Sequence, residues 1–179
     1  MALLKIVELP DPLLKKKSKP IAVIDEEIKK LASDMLETMY FEVGVGLAAP
    51  QVGVLKRIIV MDPYHEDKPD RAIVMVNPEI IEKSEETVFC NEGCLSVPDY
   101  QAEVKRPEKV RVKWQDLDGV EHNELLDNFA ARVVQHEIDH LNGVLFIDRI
   151  SRIKRSMITK KMQKKSQNQD EQDSDLGIE

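Results

Sequence analysis

QHEIDH, residues 135–140, decides how the rest of the chain is read. On a helix, residues i and i+4 lie one above the other about 6 Å apart, so His136 and His140 can offer imidazole nitrogens to a single metal ion. Glu137 then stands about 100° round the helix from His136, near the ion without ligating it, where it can handle the proton of a water. The flanking residues support the helix: Phe129, Val133, His136 and His140 recur on one face, Ala130, Val134 and Leu141 lie beside them, and Gly143 follows as a stop. A segment so apolar over much of its circumference belongs in the interior, with its histidines pointing inward. Two core histidines that merely share a face are the plain alternative. The glutamate between them weighs against it. His65, in the polar loop DPYHEDKPD, and His122, in a hairpin, read instead as solvated surface residues.

Two histidines do not complete a catalytic site. A metzincin needs HExxHxxGxxH, and here Gly143 fits but Phe146 stands at the final position. A zincin of the thermolysin type needs a downstream glutamate, and the basic segment after His140 supplies none before the acidic tail. The third ligand must come from upstream. Cys94 is the strongest candidate, because a thiolate suits iron or zinc and the Gly-containing segment NEGCLSVP can present it on a sharp turn. A small buried hydrophobe is the commoner fate of a lone cysteine, but the histidines tip the balance towards ligation. A closed Cys₂His₂ site with Cys90 is disfavoured, since about 40 residues separate the pairs where a finger uses roughly 12 to 15. Cys90 is expected in packing or in a pocket wall.

The chain that carries this motif has 179 residues, enough for one domain with a substantial core. Hydrophobic residues make up 42% and charged residues 33%, an ordinary balance for a globular protein. The N-terminal stretch MALLKIVELPDP is interrupted by Glu8, Pro10, Asp11 and Pro12, too early for a signal peptide. No run approaches the roughly 20 apolar residues of a membrane span, so a cytoplasmic protein without membrane contact is expected. A formal net charge of -7 argues against DNA as a partner while permitting a local basic patch. Two cysteines suit metal or thiol chemistry better than a disulfide framework.

Over residues 25–42, Ile28, Leu31, Ala32, Met35, Leu36 and Met39 fall at helical spacing behind an Asp25 N-cap, predicting an amphipathic helix. RIIVMD, AIVMVN, VRVKW and a DLDG turn follow as short β-like runs. GVGLAAPQVG formally matches a dinucleotide fingerprint through Gly44, Gly46 and Ala49, but it follows a helix and precedes a strand, the reverse of the required context. Two readings of this stretch stand: a close backbone approach to a ligand with the Gln51 amide as donor, or a tight turn with an exposed Gln51. Beyond residue 148 the chain is basic, with Ile153, Met157 and Met162 as a weak apolar stripe. Residues 166–179 are acidic and polar and read as a disordered tail.

GVGLAAPQ (44–51), EGCLS (92–96) and QHEIDH (135–140), standing in this order, closely resemble the motifs of peptide deformylase, which removes the N-terminal formyl group from nascent bacterial proteins. The resemblance runs to about Arg149, and the short first motif and basic extension look like the Gram-negative and organellar type. It implies an α+β fold in which antiparallel sheets surround a central HExxH helix, with an N-terminal amphipathic helix and a basic C-terminal helix. The domain would span residues 1–165, its basic helix 149–165. By resemblance, Cys94, His136 and His140 ligate one divalent ion. Fe2+ is the expected metal, and Zn2+, Ni2+ or Co2+ can substitute. Glu137 is the proton shuttle, and the Gln51 side chain and the Leu95 backbone N–H are oxyanion donors. Val45 and Gly46 pair their backbone with a formylmethionyl nascent peptide, Phe129 and Val133 join Val45 in walling the methionine pocket, and Glu92 shapes the site or orients Gln51.

This chain departs from the pattern at Asp99, where the family often has glycine, and at Gln101, where many members have arginine; Arg106 is retained. The basic segment reads either as a solvated helix or as a contact with ribosomal RNA. Two competing functions remain, a zincin-like metallopeptidase and a non-catalytic, ribosome-associated metal-binding protein.

Overall fold

The structure, a computed structural model, describes residues 2–64 and 71–176, with side chains described to residue 168; the expectation for His65 lies outside the described residues. Helix α1 spans Glu26–Phe41 and is capped by the Asp25 carboxylate, which accepts from the Ile28 N–H. There follow β1 (Gly46–Ala48), a 3-10 turn (Ala49–Val52), β2 (Ile58–Met61), β3 (Ile73–Lys83), β4 (Thr87–Cys94), β5 (Val97–Pro107), β6 (Val110–Gln115), β7 (Glu121–Leu126), helix α2 (Asn128–Leu141) and helix α3 (Arg152–Leu176). The strands form an antiparallel five-stranded sheet in the order β1-β2-β3-β6-β7 and a separate antiparallel pair, β4-β5. The expected α+β class with antiparallel sheets is what the chain adopts.

Period-2 alternation explains how one short run serves two cores. All four residues of β2 are buried. Ile58 and Val60, with Leu47 and Val76, face Ile28, Ala32, Met35 and Met39 of α1. Ile59 and Met61, with Ala48 and Met75, face Ala130, Val134, Ile138 and Leu141 of α2. The sheet is therefore held between the two helices, and α2 is fixed along its length against strands. A third cluster, with Leu14, Val97, Val104, Phe146, Ile158 and Met162, packs β5 onto the start of α3.

Four expectations need correction. The residues of α3 that dock are Ile158 and Met162, an i,i+4 pair, whereas Ile153 and Met157 are exposed. The basic helix begins at Arg152 rather than 149, because a 3-10 turn occupies Phe146–Arg149. It then continues to Leu176 through most of the stretch expected to be disordered. His122 is only partly exposed: its ring stacks on Trp114 at 5.1 Å and its Nε2 lies 2.8 Å from Asp116. Among the described residues, no helix is long and apolar enough to cross a membrane.

The end of α2 depends on one glycine. Gly143 adopts φ 73, and its N–H donates to the His140 carbonyl. A Cβ here would collide with the Lys15 backbone. Gly143→Ala is expected to cost about 2 kcal/mol or more of stability in urea denaturation, because left-handed strain and a backbone clash add.

Candidate metal centre

Helix α2 stacks His136 and His140 so that their Nε2 atoms lie 3.2 Å apart. The end of β4 brings in Cys94, its Sγ 3.3 Å from His140 Nε2. The three donor atoms lie within 4.8 Å of one another, and they form the His/Cys/Asp/Glu cluster of metal-binding geometry found among the described residues. Cys90 is buried and outside the cluster, so the closed Cys₂His₂ arrangement is not formed. Among the described residues no ligand comes from beyond His140, against the zincin alternative. Burial first, then the neighbouring His136, push His140 well below the usual histidine range, which keeps it in the neutral form that ligates. One thiol sulfur and two imidazole nitrogens, His136 Nε2 and His140 Nε2, converging on one point fit a divalent ion of borderline softness such as iron or zinc.

Behind the donors runs a chain of charge. His136 Nδ1 lies 3.0 Å from the Glu92 carboxylate, which fixes Nε2 towards the cluster. Arg106 grips Glu92 with Nε and Nη2 and donates from Nη1 to Asp139 at 2.9 Å. Asp139 also accepts two bonds of 2.6 Å from Arg149. Burial would raise the Glu92 pKa, but Arg106 and His136 hold it at about 2. Its stabilising contribution is thus present above about pH 4.5 and is lost as pH falls from there towards 2. Of the two roles expected for Glu92, shaping the site or orienting Gln51, its contacts fit the first: the carboxylate is buried between Arg106 and His136. Arg106→Met takes the buried Glu92 carboxylate's cation and leaves Asp139 with Arg149 alone, and is expected to cost about 3–5 kcal/mol, read by denaturant titration with metal bound.

Arg106, Asp139 and Arg149 were given no role by motif reasoning. One signal was visible: Ala102, Val104 and Arg106 share a face of β5 by alternation, and Val104 is a core residue. An arginine at an inward strand position requires a buried anion.

In front of the donors lies a cleft of about 1130 Å³ lined by Val45, Gly46, Gln51, Leu95, Phe129 and Val133 among others. Val45 and Phe129 are partly exposed there, Val133 is buried, and Leu95 is half-buried in the turn after Cys94. The Glu137 carboxylate rests against Gly46: a Cβ at that position would come within 2.5 Å of Glu137 Oε1. Burial pushes the Glu137 pKa up to about 7, and its Oε2 has no partner. Gln51 is buried, not an exposed turn residue. Its Oε1 accepts from the Ala48 N–H at 2.9 Å, so the amide Nε2 must face the cleft, 3.5 Å from Cys94 Sγ and 3.3 Å from Ser96 Oγ. Asp99, on the rim, takes φ 69, a conformation that glycine favours and aspartate tolerates.

The family described as polypeptide deformylase matches residues 3–156. Peptide deformylase of Zymomonas mobilis is 49% identical over 168 residues, which cover 92% of this chain and 95% of that protein. The crystal structure of peptide deformylase from Ehrlichia chaffeensis in complex with actinonin aligns with a TM-score of 0.87 at 41% identity, covering 92% of this chain and 98% of that one. Peptide deformylase from Legionella pneumophila aligns with a TM-score of 0.85 at 44% identity over 93% and 97% of the two chains. With a family match across most of its length and a relative near half identity, this chain belongs to the polypeptide deformylase family.

Proposed function

We infer that this chain hydrolyses the N-terminal formyl group from formylmethionyl nascent peptides and releases formate. The observation that carries the reading is the convergence of Cys94, His136 and His140 beside a buried Glu137 that abuts an open strand edge. On this reading α2 is the central element about which both sheets are arranged. Cys94, His136 and His140 would hold the ion, taken as Fe2+, with Zn2+, Ni2+ or Co2+ able to stand in. When bound, the ion supplies a Lewis acid that polarises water and the formyl carbonyl.

The chain's own residues do the rest. Strand β1 ends the five-stranded sheet, and the Asp62 N–H donates to the Val45 carbonyl while Gly46 sits opposite Met61. In an antiparallel ladder that pattern turns Gly46's own N–H and C=O away from β2, free to receive a peptide as an added strand. Recognition through main chain accommodates many sequences after the first residue. Val45, Phe129 and Val133 would enclose the methionine side chain. Glu137 would take the proton of the attacking water and return it to the leaving amine nitrogen, a task suited to a carboxyl with a pKa of about 7. The Gln51 amide and the Leu95 N–H would donate to the oxyanion; losing one such donor typically costs about a hundredfold or more in rate.

The site of action is proposed as the cytoplasm, and the basic face of α3 as a contact for ribosomal RNA. Protein loaded anaerobically with ferrous iron is expected to release formate from formyl-Met-Ala-Ser and no acetate from its acetylated counterpart. Absence of formate overturns the reading.

A further inference from the structure

Among the described residues, four non-glycine residues have positive φ: Val43 (57°), Asn77 (52°), Asp99 (69°) and Asn128 (49°). Three are Asn or Asp, whose short polar side chains tolerate this region; Val43 alone is β-branched, for which it is a true outlier. The position is the left-handed cap of α1, where the Val43 N–H bonds the Tyr40 carbonyl and the Gly44 N–H bonds the Met39 carbonyl. Helices commonly end this way, but on glycine or asparagine. Nor does packing account for the valine, since the residue is 90% exposed. An apolar, strained and uncovered side chain is thus kept at one place, and that place lines the cleft in front of the metal donors.

The direction of the substrate chain follows from burial. Leu47 and Ala48 are fully buried, so a peptide paired to Gly46 with its first residue at Glu137 cannot continue towards them. It must run outward along Val45 and Gly44 and pass Val43, with its side chains on the same rim. We propose that Val43 is a specificity-determining residue, an apolar lip on the cleft that selects peptides carrying an apolar side chain on their second or third residue. This rests on the reading of the chain as a deformylase. Covering an exposed valine with such a side chain removes apolar surface of both from water, and the preference expected is threefold to tenfold in kcat/KM, about 0.7–1.4 kcal/mol.

The test compares formyl-Met-Ala-Ser, formyl-Met-Leu-Ser and formyl-Met-Ala-Leu on the iron-loaded enzyme and on Val43→Gly, Val43→Asn and Val43→Leu. The parent protein and Val43→Leu are expected to favour at least one leucine peptide threefold to tenfold, expressed in KM. In Val43→Gly and Val43→Asn the ratio falls to near one, while Val43→Gly melts about 2–4 °C higher as strain is relieved. A valine kept only to shape the cap would leave the peptide ratio where it was, and that result overturns the proposal, as does a parent enzyme with no preference. If the parent releases no formate from any of the three peptides, the deformylase reading itself fails and the lip falls with it.

Discussion

Glu137→Gln is expected to lower kcat for formyl-Met-Ala-Ser by about 10²–10⁴-fold while metal content stays that of the parent protein. Glu137 is not among the three donors of the cluster, and its carboxylate lies against Gly46 with one oxygen unpartnered. Glutamine fills the same volume and removes only the ability to accept and return a proton. Folding is therefore preserved, because the group it replaces is one that burial already holds near neutrality, with a pKa of about 7. Formate release and elemental analysis on the same preparation separate the two roles the residue could have. A variant with more than a tenth of the parent activity is not missing its proton shuttle, and a variant that arrives without metal has lost a ligand.

The second large effect is expected at Cys94. Cys94→Ala should weaken metal binding by more than about 100-fold, since loss of an outer partner of a ligand alone typically costs about 10–100-fold. Activity falls with it. The thiolate is the donor that comes from outside α2, so the two histidines that remain offer an incomplete, one-sided site. Alanine at this half-exposed turn position leaves little cavity, and the hairpin should keep its thermal stability once metal is removed from both proteins. Full metal content and activity in Cys94→Ala would refute the ligand set.

Helices α1 and α2 were legible in the sequence because a 3.6-residue apolar period survives wherever a helix faces one core. Strands β2, β3 and β6 showed through their β-branched runs. The hairpin of β4 and β5 did not, although it carries Cys94. Its inward positions include Glu92 and Arg106, which satisfy each other across the pair, so the alternation is written in charges rather than in apolar residues. β7 is an edge strand exposed along most of its length and has no apolar pattern to read. The same physics divided the site. His136, His140 and Cys94 were identifiable as donor types and Glu137 as the adjoining acid-base group, whereas the route from His136 through Glu92, Arg106 and Asp139 to Arg149 joins four separate elements. No local pattern announces a contact of that kind, beyond a charged residue where an apolar one is due.

Strand β1 is three residues long, about 10 Å of ladder. With Leu47 and Ala48 buried, a peptide added at this edge would find its open backbone groups at Gly46 alone, whether it has three residues or three hundred. On that mode of binding, affinity would saturate at the N-terminal stub. On the proposed mode of binding, a finished chain would leave as readily as a short one, without the product inhibition that a long open edge would impose.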